Sequence, residues 1–180
     1  MNLNPQQRRA GLLEFGIGVP ANAALAAVLY YRVFPVYPHM DTAAQRVVFA
    51  IQCNALPGLA MLVALYAVAL GRATSKAIDP LIGAESRTLT IHGRFLTNTH
   101  EQLALFFVAS LATSTFLNAG TLRVLPVAAC LFFVNRFVFW IGYLKDPLLR
   151  GIGLSGTLYP ITFLMLFAAY RTVGLWWHGR

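Results

Sequence analysis

The sequence predicts an all-α integral membrane protein, a multi-pass helical bundle, and three observations carry that prediction. Hydrophobic residues make up 58% of the 180-residue chain and charged residues only 11%, with a mean hydropathy of +0.63. Soluble domains average roughly 45–50% apolar and 25% charged residues. The apolar residues gather into runs near the ~20 residues a helix needs to cross about 30 Å of hydrocarbon while satisfying its own backbone. No run alternates with period two, as a membrane barrel strand would.

Five runs follow in order, at 12–34, 47–70, 100–118, 122–143 and 157–173. The first carries Glu14, Gly16, Gly18, Pro20 and Asn22 in its opening half. Its basic start at Arg8-Arg9, followed by Ala21-Asn22-Ala23, also fits a cleaved leader, but the run continues to Tyr31 and favours a retained helix. The chain thus divides into a 1–46 segment with an extra span and a 47–180 region with four helices. Pro57 in the second run reads as a tolerated kink. The separators carry turn and charge signals: Pro35 to Arg46, Gly71 to Arg94, Asn118-Ala119-Gly120, and Lys145 to Gly156.

With the amino terminus inside, Arg8, Arg9, Arg72, Lys76, Arg87, Arg94, Lys145 and Arg150 lie on the inner side. Arg32, Arg46, Arg123, Arg171 and Arg180 lie on the outer side, which is the direction of the positive-inside rule. The net charge of +8 suits a polytopic protein beside anionic headgroups. No basic-aromatic pattern points to nucleic acid. Arginine far outnumbers lysine, which points to a GC-rich bacterial source and an inner membrane, although an endoplasmic-reticulum membrane fits the same residues. Cys53 and Cys130 are single residues inside predicted spans and read as small buried hydrophobes. His39, His92, His100 and His178 form no ligand-spaced cluster, so no metal site is expected.

Polar groups inside the spans carry the functional signal, because an ionisable residue there costs a few kcal/mol and normally faces the bundle interior. Arg136 stands within Leu131-Phe132-Phe133-Val134-Asn135-Arg136-Phe137-Val138-Phe139-Trp140. Arg136, Trp140 and Tyr143 share one helical face, as do Arg94, Asn98 and Glu101. In a purely structural reading, Glu101 pairs with Arg136 and joins two helices. Against it, Arg94, Arg136, Arg150 and Arg72 outnumber the one well-placed carboxylate, a surplus that suits an anionic ligand held through bidentate contacts.

Arg94-x-x-x-Asn98-x-x-Glu101, followed by Arg136-x-x-x-x-x-Gly142-Tyr143 and then Arg150, resembles the MAPEG family, the membrane-associated proteins in eicosanoid and glutathione metabolism. The resemblance covers roughly 47–173 and rests on the order and spacing of these polar residues. It implies a left-handed four-helix subunit that forms a homotrimer, here with an extra amino-terminal helix. Glutathione would lie between subunits near the cytoplasmic face. Arg94, Asn98 and Glu101 would then bind glutathione, Glu101 through its ammonium group. Arg136 and Tyr143 would line the same site, and Arg72 would match the arginine closing the family's first helix. Arg150 matches the arginine that activates the thiol in leukotriene-synthase members, which makes Arg150 and Tyr143 the catalytic candidates.

The implied activity is a glutathione-dependent transferase or peroxidase in the lipid bilayer, with a lipophilic electrophile or hydroperoxide as second substrate. A thiol has a pKa near 8.5, so a cation beside the sulfur raises the thiolate fraction at neutral pH. Glutathione-binding members often carry a tyrosine four residues before the Tyr143 position and an aromatic residue after the glutamate. This chain has Phe139 and Gln102 there. The alternative is a non-catalytic membrane subunit of the same fold that binds a partner protein or a lipid. A transporter is disfavoured, since no internal repeat of broken helices is seen.

Overall fold

A computed structural model of the chain describes residues 4–75 and 85–179. Lys76 and Arg180, assigned above to the inner and outer sides, lie outside the described residues. Every regular element among the described residues is helical. A first helix comprises α1 (Pro5–Leu13) and α2 (Val19–Val28), with π-helical turns at Glu14–Gly18 and Leu29–Val33. The others are α3 (Ala43–Cys53), α4 (Ala55–Ala73), α5 (Arg87–Ser114), α6 (Val124–Lys145) and α7 (Arg150–His178).

Local chemistry accounts for the boundaries. Thr42 opens α3 through a capping box in which its hydroxyl accepts from the Gln45 N–H and the Gln45 side chain reaches back. The run at 47–70 is one path through the membrane but two helices. Pro57 has no N–H for the Cys53 carbonyl, four residues back, and the chain turns at Asn54. The Asn54 amide donates to the Ala50 carbonyl and to the Ser110 hydroxyl, both at 2.8 Å, so the break is tied to α5. Ser86 caps α5 by accepting from the Leu89 N–H at 3.2 Å. Helix α7 stops at Gly179, whose φ of 65° needs glycine.

Among the described residues, four stretches are long and apolar enough to cross a membrane: Gly11–Val33, Ala43–Ala73, Val124–Lys145 and Arg150–His178. Helix α5 differs from the expected fifth apolar span. Its 28 residues carry Arg94, Asn98, His100, Glu101 and Gln102 in the first two-thirds. It is nonetheless part of the bundle, packed against α4, α6 and α7 with Phe95, Phe106 and Ala109 buried.

Helices α6 and α7 form the tightest pair. A Cβ on Gly153 would collide with the backbone nitrogen of Phe139, and one on Gly156 would collide with the Asn135 side chain. Small residues of this kind let membrane helices approach closely where lipid offers no hydrophobic drive. The first helix lies against the same pair through polar contacts. The Asn135 amide donates to Asn22 Oδ1 at 2.7 Å, the Tyr159 hydroxyl to Glu14 Oε1 at 2.9 Å, and Arg123 Nη1 to the Tyr30 carbonyl at 3.2 Å. Glu14 and Asn22, two of the residues that made the first run look least like a span, are therefore attachments to the bundle. Asn22→Leu removes the most enclosed of them. Its expected effect is a lower thermal midpoint in detergent, equivalent to about 1 kcal/mol, with the same oligomer by size-exclusion chromatography.

The helices alternate in direction, so the start of α5, the end of α6 and the start of α7 meet at one end, with Arg72 of α4 beside Glu85. Arg46 bonds the Ser114 and Thr115 carbonyls at the opposite end, where Arg171 covers the Phe116 ring.

Candidate functional site

Five of the seven candidate side chains come together where the start of α5, the end of α6 and the start of α7 meet. Asp146 Oδ1 accepts from the Leu148 N–H at 2.9 Å, fixing the turn between α6 and α7. That turn brings Arg150, at the start of α7, back over the Tyr143 ring, with its guanidinium carbon 4.9 Å from the centroid. Arg94 Nη1 donates to the Tyr143 hydroxyl at 3.2 Å. One buried phenol thus has a guanidinium at its oxygen and another over its face. Both arginines are exposed, whereas Tyr143 is buried against Phe95, Phe139 and Ala64.

One layer deeper, Arg136 is wholly enclosed at 0% exposure. Its Nη1 donates to Asn98 Oδ1 at 2.8 Å and its Nη2 to the Thr157 hydroxyl at 2.6 Å. The guanidinium also lies 4.8 Å from the Phe139 ring centroid and 5.7 Å from that of Phe132. This corrects the structural reading of the sequence, in which Arg136 pairs with Glu101. Asn98 points inward and accepts from one arm of the Arg136 fork, while Glu101, three residues on, faces outward. Arg72 is also placed differently from the rest: it forms an ion pair with Glu85 at 3.2 Å, the only one among the described residues.

Glu101 is the outlier of the set. It is exposed, bonds to none of the described side chains, and stands about 21 Å along α5 from Arg87. Arg94 lies on the same outward face about 10 Å below it, and Leu105 and Val108 continue that face above. A carboxylate at that depth cannot remain bare against lipid without a cost of a few kcal/mol.

Gln102 and Phe139, the positions at which the expected aromatic hydroxyls are absent, are 5% and 4% exposed and face the interior. Gln102 Oε1 is buried without a hydrogen-bond partner, as is the neighbouring Thr99 hydroxyl. Thr157 was not anticipated from the sequence. It lies 21 residues after Arg136 on another helix, and nothing in the local pattern marks it. Cys53 and Cys130 are unpaired and half-buried, and no group of three metal-ligating side chains occurs among the described residues.

A pair of arginines around a tyrosine, an arginine bonded to asparagine beneath it, and a carboxylate facing outward on α5 form one arrangement spread over α5, α6 and α7. Residues 48–170 match the MAPEG family, and this stretch contains all of that arrangement. The chain belongs to the MAPEG family. Helices α1 and α2 lie ahead of the matched region, so the MAPEG part is α3 to α7, with α3 and α4 making one membrane path. Among curated proteins, Transmembrane protein 79 of Mus musculus is 24% identical over 133 residues, 74% of this chain and 34% of that protein. Transmembrane protein 79 of Bos taurus is 23% identical over 133 residues, again 74% of this chain and 33% of that protein. This MAPEG chain spans about a third of the length of these relatives. No solved structure matches it.

Proposed function

We propose that this MAPEG protein binds glutathione at the inner end of the bundle and uses it as co-substrate against a lipophilic electrophile or hydroperoxide. The observation that carries the reading is Glu101: an exposed carboxylate, without a partner among the described residues, on the α5 face that also presents Arg94. Glutathione is a zwitterion with one ammonium and two carboxylates. Glu101 supplies the acceptor for the ammonium, and the exposed Arg94 and Arg150 supply forked donors for the carboxylates and the sulfur. Closing that face against a second copy removes Glu101 from lipid, which supports a homotrimer with the ligand between subunits.

The residues divide the work. Arg136 and Asn98 satisfy each other inside the subunit, so their part is to hold α5 and α6 in register beneath the ligand. Tyr143 orients Arg94 and Arg150, and Arg150 stabilises the thiolate. Arg72 contributes from the end of α4 once released from Glu85. In transfer, the thiol proton goes to solvent, sulfur bonds to the electrophilic carbon, and the leaving group departs with its electron pair. With a hydroperoxide, sulfur takes the terminal oxygen and the alcohol leaves. A second glutathione then forms the disulfide with loss of water.

Thiolate ultraviolet absorbance of the bound complex tests Arg150 directly. Wild type is expected to show bound thiolate at neutral pH, and Arg150→Gln to bind glutathione with that signal shifted to higher pH. Equal thiolate in both proteins would remove Arg150 from the role. The second reading is a non-catalytic MAPEG subunit. The inward-facing Gln102 and Phe139 favour it, since neither offers the ligand a hydroxyl.

A further inference from the structure

A cleft runs along α7 on the side away from the glutathione candidates, and one of its walls is the helix that precedes the family-matched region. Its middle section, about 310 Å³, lies between α2, α6 and α7. The α2 wall is Val19, Asn22, Ala23 and Ala26, spaced as a single helical face. The α6 wall is Val124, Val127, Ala128 and Leu131, again one face. A second section of about 430 Å³ continues toward the Arg171 end and shares Val124, Phe163 and Leu164 with the first. From Ser155 to Arg171 the cleft follows about 24 Å of α7, the length of a long acyl chain.

Its two ends differ in chemistry. The middle is lined almost wholly by aliphatic and aromatic carbon, and the small Ala23, Ala26 and Ala128 leave the room. The far section adds Asn118, Thr121 and Arg171. Arg171 is exposed, rests on the Phe116 ring at 5.4 Å, and has no carboxylate partner among the described residues. Within two turns beyond it, Trp176 and Trp177 are 81% and 84% exposed. Such aromatic belts mark the membrane–water interface, which puts Arg171 at the level where lipid headgroups begin. Arg123 fixes the wall at this mouth, bonding the Tyr30 carbonyl and covering its ring at 4.1 Å.

We propose that this cleft is a binding site for a single-chain anionic lipid of the adjacent leaflet, a fatty acid by class. Its chain lies between α2, α6 and α7, and its carboxylate meets Arg171. The cleft follows one face of α7 and so takes one extended chain, and the exposed guanidinium of Arg171, without a carboxylate partner among the described residues, meets an anionic head. The site is separate from the inner-end cluster and does not depend on glutathione being the ligand there.

Native mass spectrometry of the detergent-purified protein with palmitic acid and methyl palmitate tests it. Wild type is expected to retain one palmitate per chain, at least about tenfold over the ester. Arg171→Gln should retain both about equally, and Ala26→Phe, which fills the middle section, should lose both at unchanged oligomer size. Ala23→Phe, at the exposed lip of the same wall, supplies the filled cleft if Ala26→Phe does not fold. Glutathione binding, measured in parallel, should be the same in all of them. No retention by wild type, full retention by the filled variant, or an undiminished preference for the acid in Arg171→Gln would each overturn the proposal.

Discussion

Arg136→Ala is expected to cost about 3–5 kcal/mol and to leave little folded protein after extraction in mild detergent. The side chain is fully enclosed and joins three helices: its fork bonds Asn98 on α5 and Thr157 on α7 from a position on α6. Removing it takes the donor from Asn98 Oδ1, leaves the Thr157 hydroxyl with backbone carbonyls alone, and opens a cavity between Phe132 and Phe139. Arg136→Lys should recover only part of the loss, because one ammonium cannot reproduce a planar fork across two partners. The check is the thermal midpoint and the monodisperse yield of the three proteins. Unchanged midpoints would mean that the two hydrogen bonds and the aromatic contacts do not hold the bundle.

Glu101→Gln has the opposite profile: no expected change in folding of the subunit and a large change in ligand binding. Glu101 bonds to none of the described side chains, so the subunit loses no internal contact among them when its charge goes. A charge-assisted contact to an ammonium lost from a desolvated site costs about 2–3 kcal/mol, which is roughly 30- to 150-fold in affinity. Calorimetry with glutathione reads the loss. A control with the des-amino analogue of glutathione should bind Glu101→Gln and wild type with similar, weak affinity. If the analogue still distinguishes the two proteins, Glu101 acts on something other than the ammonium.

Hydropathy located the fully apolar helices well and the mixed ones poorly. The run at 122–143 corresponds closely to α6, because apolar residues extend to both ends of that helix on either side of Asn135 and Arg136. The run at 100–118 captured only part of α5, which begins at Arg87. Its inner half is helical but polar, and a hydropathy reading stops where the polar residues begin. Arg150 to Gly156 looked like a connection because of three glycines, yet it is the first part of α7. Gly153 and Gly156 are there so that α7 can lie directly on Asn135 and Phe139.

The candidate site was legible to the extent that it follows helical spacing. Arg94, Tyr143 and Arg150 meet as a shared end of three helices requires. The partner of Arg136 was not legible. Spacing groups Asn98 with Glu101 on one stripe of α5, and which of them turns inward is decided by how α5 is rotated against α6. Asn22 and Asn135 were visible as polar residues in apolar runs, but their bond crosses 113 positions and has no local signature.

Calorimetric titration of glutathione into the detergent-purified wild-type protein tests the central claim most directly, with Arg94→Ala as the companion variant. The account predicts saturable binding by wild type and its loss in Arg94→Ala. No binding at millimolar glutathione to a folded, monodisperse protein would contradict it and assign the inner-end arginines to a different anion.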